Sequence, residues 1–145
     1  MIESVINAMQ VIHAAIPGVT WAPALQDFPG KLEAAQLPAV LVWPTGATWD
    51  EPAIGIHRND IELQVSAFVE AVGNQGYRGD TIAAAVLLMD DFRLVYLDYS
   101  AIQTLGGTVE QISEVAVSGL REITLAGIVY YGFQMTFTAI LKEIP

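Results

Sequence analysis

The stretch ITLAGIVYYGFQMTFTAIL, Ile123 to Leu141, lies between Glu122 and Lys142 and carries no charged residue. Its length approaches the roughly 20 apolar residues of a membrane-spanning helix. Whether it is helix or strand therefore decides the fold. Eleven of its nineteen residues are β-branched or aromatic, a composition that favours a pleated, packed surface over a helix. Gly127 and Gly132 lower helix propensity further.

Read at period two, Val129, Tyr131, Phe133, Met135, Phe137, Ala139 and Leu141 share one face. Ile128, Tyr130, Gly132, Gln134, Thr136, Thr138 and Ile140 share the other. Gln134 and the threonines are poor partners for lipid. The stretch reads as the last strand of a sheet, not as a membrane anchor. Fifteen such residues span about 50 Å, so the expectation is a bend at Gly132 or an extension towards a neighbouring subunit.

Upstream, Ile2, Val5, Ile6, Met9, Ile12 and Ile16 follow helical spacing up to Pro17-Gly18. Pro17, Pro23, Pro29 and Pro38 then mark an extended connection leading to LPAVLVWP, a short strand from Ala39 to Trp43. TGATWDEPAIGIHRND reads as a loop or hairpin turning at Asp50-Glu51-Pro52. Ile61, Leu63, Val65, Ala67 and Val69 alternate with Glu62, Gln64, Ser66 and Glu70, a strand with one wet face that only Phe68 interrupts.

GNQGYRG follows, with Asp80 placed to cap a second helix whose apolar stripe is Ile82, Ala85, Val86, Met89, Phe92, Val95 and Tyr96. A strand near Val109 to Val117 and a turn at SGLRE complete the order. The expected fold is a single α+β domain over residues 1–145. Its sheet is antiparallel, mixed at most, with four to five strands packed on two main helices, in the order α-β-β-β-α-β-β.

Apolar residues make up 53% of the 145 and charged residues only 15%, against roughly 25% in a typical soluble domain. The surplus apolar area points to a membrane or to extensive subunit contacts. Six basic residues against sixteen acidic ones leave a net charge of −10, the opposite of a nucleic-acid-binding footprint. No cysteine is present, which excludes disulfides, thiolate metal sites and a thiol nucleophile. MIESVINAMQ lacks a basic n-region, so intracellular synthesis is the expectation.

Catalytic motifs find no support. His13 lies beside the first helix's apolar stripe, where a core-edge or surface role outweighs ligation. His57 with Asp60, Asp50 and Glu51 matches no metal spacing. Gly73, Gly76 and Gly79 do not make a phosphate loop, and Arg78-Gly79-Asp80 is explained by capping. The expectation is a structural protein with no catalytic, cofactor or metal residues.

The order of elements carries a resemblance. An amphipathic helix and a proline-punctuated connection lead to LPAVLVWP; a polar hairpin, GNQGYRGD opening a helix and a last YYGFQMTF strand follow. Over nearly its whole length the chain resembles the tail terminator, or tail-to-head joining, neck proteins of long-tailed bacteriophages. The resemblance implies a homo-oligomeric ring, usually a hexamer, that caps the tail tube and ends its polymerisation. Such a ring also docks on the head connector, with DNA passing through the channel without specific binding.

It further implies a virion location in the tail or neck after assembly in the host cytoplasm. The partners it implies are the chain itself, the tail tube protein and the head–tail connector proteins. Net charge −10 suits a lumen that does not trap DNA, and the apolar surplus suits a ring subunit with two heterologous faces.

Expected inter-subunit or ring-stacking contacts are Trp49, Asp50, Glu51, His57 and Arg58 in one loop, and Tyr77 and Arg78 in another. Tyr130 joins them from the last strand, with Tyr131 turned to the core. Competing expectations are another neck, tail-completion or tail tube subunit, and a small-ligand-binding α+β domain with Trp43, Trp49 and His57 around a pocket. A hydrolase using His57 and Asp60 as an acid/base pair is a further alternative.

Overall fold

A computed structural model describes residues 2–72, 79–98, 102 and 104–143. The uncharged stretch is a β-hairpin. Arg121–Leu125 forms β5, a two-residue turn at Ala126-Gly127 reverses the chain, and Ile128–Glu143 forms β6. Both turn residues have positive φ, 52° and 79°, the geometry whose twist matches two antiparallel strands. Among the described residues no helix is long and apolar enough to cross a membrane.

β6 is the central strand. Along one edge it pairs with β2, Ile56–Ala71, from His57↔Glu143 to Ala71↔Tyr130. Along the other edge it pairs in turn with β3, Gln111–Ile112, β4, Ala116–Val117, and β5. β1, Ala39–Ala53, pairs only with β2 and closes the far side of the sheet. All strand pairs are antiparallel; an isolated parallel bridge joins Trp21 to Ala39.

The α+β class and the two helices agree with the sequence, but the sheet has six strands and the order is α-β-β-α-β-β-β-β. Two features account for the difference. β1 continues through Asp50-Glu51-Pro52 with a register shift there, because an edge strand tolerates proline where no partner needs its N–H, so the turn falls at Ile54-Gly55 instead. The segment expected as one strand from Val109 to Val117 splits into β3 and β4, and Arg121 and Glu122, expected in a turn, begin β5.

α1, Ile2–Ala14, and α2, Gly79–Asp98, cover one face of the sheet. Val5, Ile6 and Met9 of α1 and Ala85, Leu88, Phe92 and Tyr96 of α2 pack on the greasy face of β6, from Phe133 to Leu141. Asp80 lies in the first turn of α2, where it accepts the Thr81 N–H at 3.0 Å and sits at the positive end of the helix. The buried stripe of α2 is rotated from the expected one. Leu88 takes the core position, while Ile82 and Val86 are exposed.

The opposite face is not uniformly wet. The proline-rich connection, residues 17–38, folds over its end and builds a second small core of Leu32, Ala39, Leu41, Phe68, Ile123 and Tyr130. Phe68 interrupts the polar alternation of β2 because it belongs to that core, edge-on to Tyr130 with ring centroids 5.4 Å apart.

Beside Phe68 the β2–β6 register shifts by one residue, with Val69 left between the Phe68↔Gly132 and Glu70↔Tyr131 pairs. The irregularity expected at Gly132 thus lies in its partner strand. Gly132 is required there for a steric reason. A Cβ on it would stand 1.8 Å from the Ala67 carbonyl oxygen and 2.9 Å from its carbon, and backbone cannot move aside as a side-chain end does.

A buried hydrogen-bond chain ties the layers together. The Gln10 Nε2–H donates to the Val40 carbonyl at 2.8 Å, which leaves Gln10 Oε1 to accept from His13 Nδ1 at 2.9 Å. Neutral His13 then carries its free lone pair on Nε2, where the Tyr96 O–H donates. β1, α1 and α2 are joined through this relay. His13, placed at the core edge or surface by the helical spacing, is fully buried, and burial lowers its pKa from 6.5 to about 3. Burial likewise pushes the Tyr96 phenol up.

Two outcomes follow from this packing. Gly132→Ala should lower stability by about 3 kcal/mol or more, since the clash is with backbone on the neighbouring strand; a urea melt with an unchanged midpoint would contradict it. His13 supplies a pH dependence. Between about pH 6.5 and 3 the unfolded chain binds a proton that the folded chain refuses, so stability falls on acidification. The slope from this group approaches about 1.4 kcal/mol per pH unit. Comparing melts of the native chain and His13→Gln across that range should show this component vanish in the variant.

Candidate functional site

Past the helix-covered core, β1 and β2 continue as an arm. From Ala47, opposite Ile61, to Ala53, opposite Ile56, the hairpin extends about 20 Å at strand rise. β6 supports its β2 half through the pairs from Ile61↔Ala139 to His57↔Glu143, and the hairpin runs past β6 only at its tip. The arm grows from a continuous twisted ladder, which holds it out from the body.

A register shift between Pro44 and Gly46 sets which way the arm's side chains face. Each inserted residue exchanges the two faces of a strand downstream of it. Before the shift, Val40 and Val42 face the helices and Trp43 faces the second core, where its Nε1–H donates to Gln64 at 3.1 Å. After it, Trp49 pairs with Asn59 in the row that continues to Leu141, on the helix side.

The arm and the start of α1 enclose an open hollow of about 790 Å³. Trp49, Asp50, Glu51, His57 and Arg58, which the sequence groups as contacts, all line it, together with Ile2 and Asn59. Acidic groups at the tip are engaged locally. Asp50 Oδ1 accepts the Glu51 N–H at 2.7 Å and Glu51 Oε1 accepts the Gly55 N–H at 3.2 Å. Arg58 donates through Nε and Nη2 to the two carboxylate oxygens of Asp60, at 2.9 and 3.1 Å, and this pairing raises the guanidinium pKa further.

Other expected groupings come apart. Trp43 lies on the opposite face from Trp49 and His57, so the three do not surround one pocket. His57 and Asp60 are three residues apart on one strand and point to opposite faces, with Asp60 engaged by Arg58. Among the described residues no cluster of three or more His, Asp or Glu side chains could hold a metal ion. Tyr77 and Arg78 lie outside the described residues.

Tyr130 is not a surface contact. It is 1% exposed, and its hydroxyl donates to the Leu32 carbonyl at 3.1 Å and accepts the Leu32 N–H at 3.2 Å. It clamps the proline-rich connection to β6. Tyr131 is buried as expected. With Tyr130 and Tyr131 both buried, neither face of β6 at this point is free for a neighbour.

Three features escaped the residue pattern. Ile54, at the tip, is fully exposed. Asn59 is 6% exposed, and its Nδ2 is the one buried side-chain polar atom among the described residues without a hydrogen bond. A second concavity of about 360 Å³ lies between α2 and β4, with Val86, Leu97, Val115 and Val117 at its sides and Phe133 and Met135 beneath. Exposed apolar residues on the flank of an otherwise core-packed helix were its only sequence signal.

No protein-family model matches the chain, and no curated protein matches it.

The Tyr130 clamp gives a direct test of the assignment to the second core. Tyr130→Phe should leave the Leu32 N–H and carbonyl without their partner and lower stability by about 1–3 kcal/mol. It should leave any self-association unchanged. Weakened association at full stability would return Tyr130 to the surface.

Proposed function

We propose that the chain is a ring-forming structural subunit, and that the ring closes the tail tube of a long-tailed bacteriophage and joins it to the head connector. The observation that carries the ring is the arm. It holds Trp49, 73% exposed, and Ile54, 100% exposed, beyond the reach of the chain's own core, in a protein with only 15% charged residues. Apolar groups held in that way, in a chain short of charge, would gain stability if another molecule covered them. The arm and the exposed flank of α2 are different surfaces, so copies meeting through them associate head to tail, the arrangement that closes into rings.

The phage assignment draws on the resemblance in the order and texture of elements. Net charge −10 supports it, because a negative lumen lets DNA pass without phosphate contacts. In this reading the hollow lined by Trp49, Asp50, Glu51, His57 and Arg58 is the stacking face towards the tail tube or the connector. Residues act here by shape and charge, with no group assigned to catalysis or cofactor binding.

Electron micrographs of the purified protein, alone and with tail tube protein, test the reading. Single-layer rings that stop at tube ends are the expected result. Open-ended tubes would instead make it a tube subunit. A chain that stays monomeric at high concentration and does not bind tubes would remove the proposal.

A further inference from the structure

Two apolar features of the fold are left exposed by the described residues, and their shapes are opposite. The arm tip is convex and ends in Ile54. The α2–β4 groove is concave, and its sides include Val86, Leu97 and Val117, which are 53%, 67% and 49% exposed. The register keeps them apart within one molecule. Met135, in the groove floor, is eight residues from Glu143 along β6; Glu143 pairs with His57, and Ile54 lies three residues further on. That separates tip from groove by about 30 Å of paired strand. The tip of a chain cannot reach its own groove.

We propose that the Ile54 tip of one copy seats in the α2–β4 groove of the next. The occupant is a second copy of this chain because the tip supplies what the groove lacks, an apolar side chain free of local contacts. The rim charges agree. Arg93 stands at the groove beside Asp90, 3.5 Å away and with both more than half exposed, while Asp50 and Glu51 flank the arm tip. An incoming arm brings carboxylates to Arg93, which they would share with Asp90.

Edge-to-edge strand pairing is the obvious alternative, and β1 is built against it. Pro44 and Pro52 cannot donate, and the register shifts at residues 44–46 and 50–53 bend the edge. Contact through inserted side chains remains. Because tip and groove are separate surfaces, each copy gives one and receives one. This deepens the ring reading and rests on it only for closure.

The native chain has no cysteine, so engineered pairs report without background. Ile54→Cys and Val117→Cys should each fail to cross-link alone under mild oxidation and form a covalent dimer when mixed. The double variant should give a ladder that ends at the ring's copy number. Ile54→Asp, at a fully exposed site, should abolish assembly with an unchanged melting temperature.

A ring seen by light scattering without the 54–117 bond overturns the docking and leaves the ring reading standing. The bond formed within open filaments supports the docking and overturns the closed ring. Bonding between two Ile54→Cys tips, or a co-purifying apolar small molecule with no 54–117 bond, overturns the docking. Absence of any oligomer overturns both.

Discussion

Everything in this fold depends on β6 having a partner along both edges. β2 occupies one edge over nearly the whole strand, and β3, β4 and β5 share the other. That arrangement satisfies the backbone of the most apolar run in the chain, which is why a stretch with the length of a membrane helix is stable as a strand. The close approach at Gly132 belongs to the same constraint. β2 can follow β6 past its irregularity at Val69 only because no side chain stands between Gly132 and Ala67.

From that central ladder the two sheet faces acquire different covers. The helices take the face from Phe133 to Leu141, and the Tyr96–His13–Gln10–Val40 relay fixes how they sit on it. The opposite face is covered only at one end, by the proline-rich connection clamped through Tyr130. Prolines 23, 29 and 38 suit that task. They punctuate a connection that includes two 3-10 turns, Leu25–Asp27 and Ala34–Gln36, while its backbone bonds to the sheet edge at residues 20–21 and 38–40. The cover ends where β1 becomes the arm.

How much of this was legible depended on whether a feature had a local period. The first helix, the strand nature of Ile123 to Leu141, the start of α2 near Asp80 (which lies in its first turn and not at the cap) and the grouping of Trp49 to Arg58 all follow from spacing and composition. The Ala126-Gly127 turn lay hidden in an apolar run, because Ala126 adopts a positive φ without being one of the residues that announce it. The buried stripe of α2 was misplaced because that helix is apolar nearly all round. Leu88 and Val86 offer the same chemistry to a hydrophobic count, and only the sheet chooses between them. The side on which Trp49 falls depended on one extra residue at Thr45, and the separation of Trp43 from Trp49 and His57 followed from it. A period count passes over such a shift unseen.

The same reasoning locates where the single chain is least complete. Its core is filled, and its buried relay is satisfied from phenol to carbonyl. Among the described residues much of what is left over gathers on the arm and the α2 flank, with Val11 of α1 exposed apart from them: the fully exposed Ile54, the exposed Trp49, the apolar groove, and the Asn59 Nδ2 buried without a partner. An unpaired buried amide lowers stability by about 1–3 kcal/mol, and exposed apolar groups forgo the stabilisation that burial would give. The β1–β2 hairpin runs on past the last β6 pair, His57↔Glu143, and places isoleucine at its tip. The arm is intelligible as a feature whose favourable contacts lie outside the chain that bears it.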